Sequence, residues 1–293
     1  MYNRILLFER CLTSVLHQSL PHDQYEVIIV DNNSSDDIEA AVKRLKQTSQ
    51  VEVRYLREKQ PGPAAARNKG IRNAGGRYLA FIDADCVAEK TWLEHIHRPL
   101  TRTPHIGGVG GRSEHAPLRH TTVNHYCRYI SLNTTPRITE NGIEYIITNN
   151  CCIPKTVFDT VGLFDKKYDV PGGEDLELSR RIRSSGYQLY YENKAAVYES
   201  SKERLSDLIK SFYAYGKGEE NAFTSNRAEV LSYCLCAFCK TLIDIACIPF
   251  FAILFFAEGK TVKTSITFAF YDCVRKTAFK TGTIKTMVTS HAQ

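Results

Sequence analysis

The sequence lacks a dense run of lysine or arginine, although 38 Lys and Arg against 32 Asp and Glu give it a formal net charge of +6. This mild positive balance suits an anionic ligand or an acidic membrane surface, and the missing basic run argues against nucleic acid as a partner. The ten cysteines have no regular spacing and no signal peptide precedes them, so we expect a reduced, cytoplasmic protein.

The chain also lacks the glycine-rich loops of two nucleotide-binding classes. Residues 106–111 (IGGVGG) do not complete a G-x-G-x-x-G fingerprint, because Ser113 stands at the third glycine position. No glycine-rich phosphate loop with a lysine partner lies near the N-terminus, which disfavours a nucleotidyltransferase. The incomplete G-x-G-x-x-G fingerprint likewise disfavours a dinucleotide-binding oxidoreductase.

No uncharged run is long enough to cross a bilayer. Residues 245–257 carry no charge but fall short of the ~20 residues that a span needs. The window 231–257 contains two charged residues, Lys240 and Asp244, and would span only if both were accommodated. A basic tail follows, so residues 221–293 are predicted to be a helical region that lies on a membrane surface or packs on the protein core.

Short β-branched segments alternate with helical patterns in the first third of the chain. Strands are predicted near 25–30, 51–56 and 78–85, with helices over about 37–47 and 64–74. This alternation is typical of an α/β fold with a doubly wound, mostly parallel sheet flanked by helices.

Two carboxylates close the third predicted strand, in the sequence YLAFIDAD at residues 78–85. Side chains alternate along an extended strand, so Asp83 and Asp85 are predicted to point the same way. Ligands of open α/β sheets bind beyond such strand ends, and two hard oxygen ligands can share a divalent cation that holds a diphosphate. The alternative is a polar strand end that opens a loop.

A second acidic pair, Glu174 and Asp175, follows two glycines and opens a helix with apolar residues on one face. Acids at this position are favoured by the helix dipole without any further role. The paired glycines also allow a mobile loop in front of them.

Three segments, in this order and spacing, resemble inverting family 2 glycosyltransferases of the GT-A fold. They are residues 27–37 (VIIVDNNSSDD), 66–85 (ARNKGIRNAGGRYLAFIDAD) and 172–183 (GGEDLELSRRIR). The resemblance covers about residues 1–220 and implies a GT-A domain there, a nucleotide-sugar donor and Mg²⁺ or Mn²⁺.

The resemblance also implies roles on the donor side. Asp31 would read the nucleobase and Arg67 would meet a phosphate or the ribose. Asp83 would face the ribose, Asp85 would coordinate the metal, and Asn3 would belong to the first nucleotide loop.

On the acceptor side, Asp175 would be the general base for the acceptor hydroxyl, and Glu174 would position it or touch the acceptor. Asn150 falls in the acceptor-side region of such enzymes. Many relatives carry a histidine near residues 197–198 that completes the metal site. Here Glu199 would serve as an oxygen ligand in that place, or the site would rely on Asp85 and the diphosphate.

Two further departures from the family pattern shape the expectation. The chain begins at Met1 without the hydrophobic strand that usually comes first, so the first strand is expected to be missing. No Gln-x-x-Arg-Trp motif follows the acidic pair, and the one tryptophan is Trp92. Transfer of single sugars is therefore expected rather than polymerisation.

The sequence thus predicts a non-processive, inverting glycosyltransferase for glycan or glycolipid synthesis, cytoplasmic or peripheral on the cytosolic face of the membrane. Its donor would be a UDP-, GDP- or dTDP-sugar, and its acceptor a glycan or lipid-linked hydroxyl. The alternative is a catalytically silent protein of the same fold that binds a nucleotide sugar or serves as a scaffold.

Overall fold

The computed structural model describes residues 4–116, 119–132, 138–139, 142–200, 202–219 and 227–290. The chain groups into two compact units. The first, called here the α/β unit, comprises Met1–Ala116, Thr134–Asp169 and Glu174–Ser200. The second, the helical unit, comprises Pro117–Asn133, Val170–Gly173 and Ser201–Gln293.

Helices and strands alternate through the α/β unit. Its elements are α1 (Arg4–Leu16), β1 (Glu26–Asp31), α2 (Ile38–Lys46), β2 (Glu52–Arg57), α3 (Pro63–Asn73), β3 (Tyr78–Ile82), β4 (Cys86–Ala88), α4 (Trp92–Arg102), β5 (Ile106–His115), β6 (Ile138–Thr139), β7 (Gly142–Ile143), β8 (Asn150–Pro154), α6 (Lys155–Val161), α7 (Glu174–Ser184) and β9 (Gln188–Glu199). The early strands and helices predicted from the alternating pattern agree with these bounds to within one or two residues, except that β3 ends at Ile82, before the two aspartates that were expected to close it.

Local chemistry explains where the first helices begin. The carboxylate of Asp37 accepts a hydrogen bond from the amide of Ala40 at 3.0 Å, which caps α2. Helix α3 starts with Pro63, whose missing amide proton costs nothing at a first helical position. Gly62 before it has φ +109°, and a Cβ there would lie 2.9 Å from the backbone of Asp169, so only glycine fits this turn.

The strands form a parallel pair and a mixed sheet. Strands β1 and β2 pair in parallel, while a five-stranded sheet has the order β3-β8-β5-β9-β4. Within that sheet β5 and β9 are parallel, and the pairs β3–β8, β5–β8 and β4–β9 are antiparallel. The α/β fold class is confirmed, but the five-stranded sheet is mixed rather than mostly parallel.

Apolar side chains cover both faces of the five-stranded sheet. One cluster joins Ile153 of β8 and Leu189 of β9 to Ile182 of α7. The other places Trp92 and Ile96 of α4 against the opposite face. The positions of α4 and α7 are therefore fixed by burial of their apolar faces, and α7 carries the acidic pair at its first turn.

The helical unit contains α5 (Thr122–Leu132), α8 (Leu205–Lys217), α9 (Arg227–Ala246), α10 (Ile248–Ala257) and α11 (Val262–Ser290). Helix α8 was predicted to lie within the 1–220 domain, whereas its contacts group it with the C-terminal helices. In the part of the chain that the structure describes, no single helix is long and apolar enough to cross a membrane. The pair 229–246 and 248–257, bent by 54°, meets that length and composition criterion together.

Candidate active site

The guanidinium of Arg67 is the centre of a charge cluster in the α/β unit. Its Nη1 donates to Oε1 of Glu174 at 2.7 Å, and its Nη2 donates to Oδ1 of Asp83 at 3.3 Å. Oδ1 of Asp175 lies 3.9 Å from Nη1, so one cation faces three carboxylates. Phe164 covers the other side, with its ring centroid 5.7 Å from the guanidinium carbon.

Arg67 keeps its charge although only 16% of its side chain is exposed. Burial alone would lower the pKa of Arg67, but the carboxylates of Asp175, Asp83 and Glu174 raise it above its ordinary value. A guanidinium suits this place because its fixed fork of donors can serve several carboxylates at once. The cluster therefore joins the end of β3 to the start of α7.

The next residue, Asn68, fixes the helix that presents Arg67. Its buried side-chain amide donates to the backbone carbonyl of Phe164 at 2.8 Å, and its side-chain oxygen accepts from the backbone amide of Phe164 at 2.9 Å. These two bonds connect α3 to Phe164, the residue whose ring covers Arg67. The resemblance placed Asn68 in its motif without predicting this contact.

Asp175 is held from the opposite side by Thr148. The hydroxyl of Thr148 donates to Oδ1 of Asp175 at 2.8 Å, and its amide donates to Oδ2 at 3.2 Å. Burial raises the pKa of Asp175 to about 6, with a further upward contribution from Glu174, while Arg67 and the two Thr148 donors lower it. A carboxyl poised near neutrality, with 19% of its side chain exposed, has the properties of a general base.

Glu174 differs from its neighbour in burial. Its side chain is almost fully covered and accepts the short bond from Arg67. This environment favours a role for Glu174 in holding Arg67 in place, rather than in contacting an acceptor.

Asp83 and Asp85 lie in a turn rather than on the strand. Strand β3 ends at Ile82, and the amide of Cys86 donates to the carbonyl of Asp83 at 3.0 Å, which closes a tight turn. The prediction that both carboxylates lie on an extended strand, and are aligned by its alternation, is therefore wrong. Both nevertheless lie in the turn that follows β3.

Glu199 ends β9 beside this turn. It pairs with Cys86 in the antiparallel β4–β9 ladder, and the amide of Ser200 donates to the carbonyl of Asp85 at 2.9 Å. The side-chain amide of Asn149 donates to Oε2 of Glu199 at 3.2 Å. Burial, followed by the charges of Glu199, Asp85 and Asp83, raises the pKa of the Cys86 thiol.

Donors for a divalent cation are few here. Within the described ranges, no group of three or more His, Cys, Asp or Glu side chains is arranged to hold a metal ion. Asp85 and Glu199 are hard oxygen donors on neighbouring backbone segments. This set fits Mg²⁺ or Mn²⁺, which commonly binds through one or two carboxylates and takes its remaining ligands from substrate phosphates and water.

The remaining predicted residues lie in different settings. The buried carboxylate of Asp31 at the end of β1 accepts from the amide of Ser34 at 2.9 Å and from the hydroxyl of Tyr55 at 3.0 Å. Burial would raise the pKa of Asp31, but these bonds and the nearby Arg57 hold it below its ordinary value. Asn3 lies outside the described residues.

Asn150 occupies the interior of the five-stranded sheet. Its Oδ1 accepts from the indole of Trp92 at 2.8 Å, and its amide donates to the carbonyls of Arg112 and Ala195 at 2.9 Å each. Only 1% of Asn150 is exposed, which favours a structural role over acceptor contact. Its neighbour Asn149 instead reaches Glu199.

The fold and this cluster define an α/β protein with a group of charged side chains just beyond the end of a strand, where ligands of open α/β sheets bind. The chain belongs to glycosyl transferase family 2, whose model matches residues 1–162, more than half of its length. It is 26% identical over 228 residues to glycosyltransferase AglE of Haloferax volcanii, covering 78% of this chain and 73% of AglE.

Solved structures share the fold. The mannosyltransferase PcManGT from Pyrobaculum calidifontis, in complex with GDP-Man and Mn²⁺, superposes with a TM-score of 0.60 at 19% identity, covering 78% of this chain. S. aureus TarS 1-349 in complex with UDP-GlcNAc gives 0.53 at 16% identity, covering 74% of this chain. The chain spans 63% of each of these two chains, less than two thirds of their length.

Proposed function

We propose that the protein transfers a sugar from a nucleotide-sugar donor to a hydroxyl of a glycan or glycolipid, one sugar at a time and with inversion at the anomeric carbon. The observation that carries this proposal is the cluster around Arg67, which connects Asp83 to Asp175, a largely covered carboxylate with a pKa of about 6.

In the proposed reaction Asp175 takes the proton of the acceptor hydroxyl as that oxygen attacks the anomeric carbon. A new C–O bond forms while the bond to the nucleoside diphosphate breaks on the opposite face, through an oxocarbenium-like transition state. Thr148 holds both carboxylate oxygens of Asp175, which fixes the direction of the base. Arg67 supplies positive charge between the acidic groups of the site.

On the donor side, Asp83 would meet the ribose and Asp31 the base, with Asn3 in the same nucleotide-binding region. Asp85 and Glu199 would hold Mg²⁺ or Mn²⁺, which when bound supplies Lewis-acid stabilisation of the departing diphosphate. PcManGT was solved with GDP-Man and TarS with UDP-GlcNAc, so both nucleotides belong in a donor screen. Transfer from UDP-, GDP- and dTDP-sugars with Mn²⁺ tests the proposal, whereas nucleotide binding without transfer from any of them supports the silent alternative.

Replacing Asp85 with asparagine should weaken the metal site. We expect the Mn²⁺ concentration for half-maximal transfer to rise by about 10-fold or more. Mutating a residue that only hydrogen-bonds to a metal ligand already lowers metal affinity by about 10–100-fold, and Asp85 is proposed as a ligand itself. Electron paramagnetic resonance titration of Mn²⁺ in the presence of UDP or GDP gives the same answer without catalysis. The exposed Asp159, replaced in the same way, is the control and should change neither readout.

The pH dependence of wild-type transfer should follow Asp175. The base acts only when unprotonated, so kcat/KM should rise with pH through about 6 and become constant above it. Initial rates between pH 5 and 8 at fixed ionic strength measure this profile. A rate that does not change over this interval argues against a base with the pKa of Asp175.

Thr148→Val should move that profile to higher pH. Valine keeps the volume of threonine but removes the hydroxyl that donates to ionised Asp175, so the apparent pKa should rise by about one unit, the size of one hydrogen bond to a charge. Thr148→Ser restores the donor and should restore the profile. A valine variant that loses rate equally at every pH would show that Thr148 acts only on structure.

We propose in addition that the helical unit meets the cytosolic face of a membrane. Asp244, one of the two charges in the apolar window, pairs with Nζ of Lys280 at 2.7 Å and of Lys276 at 3.6 Å, which neutralises it within the unit. Many large apolar side chains of α9 and α10 are exposed, among them Leu231 and Phe238. Sedimentation with vesicles rich in phosphatidylglycerol tests this; protein that stays in the supernatant contradicts it.

A further inference from the structure

The helical unit contains an apolar groove that the proposed transfer reaction does not use. It has a volume of about 650 Å³, within the range of small-molecule sites, and is bounded by helices α8, α9, α10 and α11. The aliphatic and aromatic part of its wall includes Ile209, Ile245, Ile248 and Phe270.

The hydroxyls of the three threonines in the wall donate to backbone carbonyls of their own helices. Thr241 donates its hydroxyl to the carbonyl of Ala237 at 2.8 Å, and Thr277 and Thr281 donate to the carbonyls four residues before them at 2.9 and 2.8 Å. Each hydroxyl proton is therefore used within its own helix, and the hydroxyl of Thr241 also accepts from Nζ of Lys280 at 3.4 Å, so these threonines offer no free donor to a ligand. The lining suits hydrocarbon.

The groove opens onto a surface that is itself apolar. Ile245 and Phe270 line the groove and are also 52% and 47% exposed. Next to them, Leu242 and Ile266 are more than half exposed. A hydrocarbon chain entering the groove would thus remain in contact with apolar side chains along its whole path.

One unneutralised cation lies at the groove. Lys210 of α8 lines it and is exposed, and among the described residues no hydrogen bond or ion pair is recorded for its ammonium group. Lys276 and Lys280, in contrast, are paired with Asp244. A positive charge beside this apolar groove is complementary to a ligand with an anionic head and one long hydrocarbon chain.

We propose that this groove binds one hydrocarbon chain of an anionic lipid phosphate, whose phosphate is met by Lys210. The inference goes beyond sugar transfer and does not depend on it. The occupant is a single lipid chain, because the wall is mostly aliphatic and aromatic and includes Lys210 and Tyr213, which can meet a polar head.

The probe is dodecyl phosphate below its micellar concentration, with octyl phosphate and dodecanol for comparison, titrated calorimetrically into the full chain. Each methylene buried in the groove should raise the affinity about four-fold, so dodecyl phosphate should bind about 200-fold more tightly than octyl phosphate. Equal affinity for the two chain lengths would overturn the proposal.

Matched variants separate the groove from the surrounding surface. Ile245→Asp places a charge in the groove and should abolish binding. Ile253→Asp changes another isoleucine that is more than half exposed, on α10, but does not line the groove, and it should leave binding unchanged. Thr281→Trp fills the groove from an exposed position, with exposed Thr289→Trp as its control. Equal losses in both members of each pair would indicate adsorption to the apolar surface and refute the groove.

The headgroup is tested by Lys210→Gln. We expect the affinity for dodecyl phosphate to fall by about 5-fold, which corresponds to the loss of one partly exposed ion pair. The affinity for dodecanol, which has no charge, should not change. An unchanged affinity for dodecyl phosphate would refute the role of Lys210. A protein that transfers sugar but binds no dodecyl phosphate would refute the groove and leave the transferase proposal intact.

Discussion

Asp175→Asn should lower the rate of sugar transfer by about 10²–10⁴-fold, the contribution of a positioned general base. Asparagine has the same shape as aspartate but cannot accept the proton of an acceptor hydroxyl. Its amide can still accept from the backbone of Thr148 and donate to the Thr148 hydroxyl, so the local structure has no reason to change. Initial rates with saturating donor at pH 8 measure the effect.

The stability of the same variant provides an independent check. Burial raises the pKa of Asp175 in the folded protein above that of the unfolded chain, so its ionisation opposes folding. Its contribution to the free energy of unfolding is therefore lost as pH rises from about 4 to about 6. Asparagine removes this dependence, and the variant should be at least as stable as the wild type above pH 6.

Asp159→Asn is the control for activity, because Asp159 is an exposed residue of α6 away from the charge cluster. It should transfer sugar at the wild-type rate. If Asp175→Asn is folded by circular dichroism and also keeps the wild-type rate, Asp175 is not the base.

Arg67→Met should destabilise the protein by about 3–5 kcal/mol, the usual cost of removing one member of a buried ion pair, and should abolish transfer. Methionine leaves Asp83, Glu174 and Asp175 facing one another without the cation that now offsets part of their charge. Urea unfolding followed by circular dichroism measures the loss of stability.

Arg44→Met is the matched control. Arg44 also pairs with a glutamate, Glu9, but 61% of its side chain is exposed, against 16% for Arg67. Exposed pairs are worth about 0–1 kcal/mol, so this variant should retain nearly all of the stability and activity. Equal losses in the two variants would mean that Arg67 contributes no more than a surface charge. Arg67→Lys should fall between them, because lysine keeps the charge but lacks the planar fork.

Much of the fold could be predicted from local patterns. Helix α3 begins at a Gly-Pro turn and matches its predicted start within one residue. Strand β3 begins where the apolar run predicts, but it ends at Ile82, three residues earlier than expected. Strand β8 escaped prediction because it follows a stretch without clear periodicity and joins the sheet by antiparallel pairing with β3 and β5. Such pairing depends on partners about 40 and 70 residues away along the chain, which no local window contains.

The site shows the same division. The resemblance brought Arg67, Asp83 and the acidic pair to attention, but the bond from Arg67 to Glu174 spans 107 residues and follows only from packing. Thr148 was missed because one threonine before two asparagines carries no periodic signal. Asn150 was expected on the acceptor side, and only the structure shows that Trp92 and two strand carbonyls use its amide.

The stereochemistry of the product tests the central proposal most directly. With the donor that gives the highest transfer rate in the nucleotide-sugar screen, proton NMR of the early product reads the anomeric configuration of the transferred sugar. Direct displacement with Asp175 as the base predicts inversion relative to the donor, and transfer that disappears in Asp175→Asn. A product that retains the configuration of the donor would contradict this account.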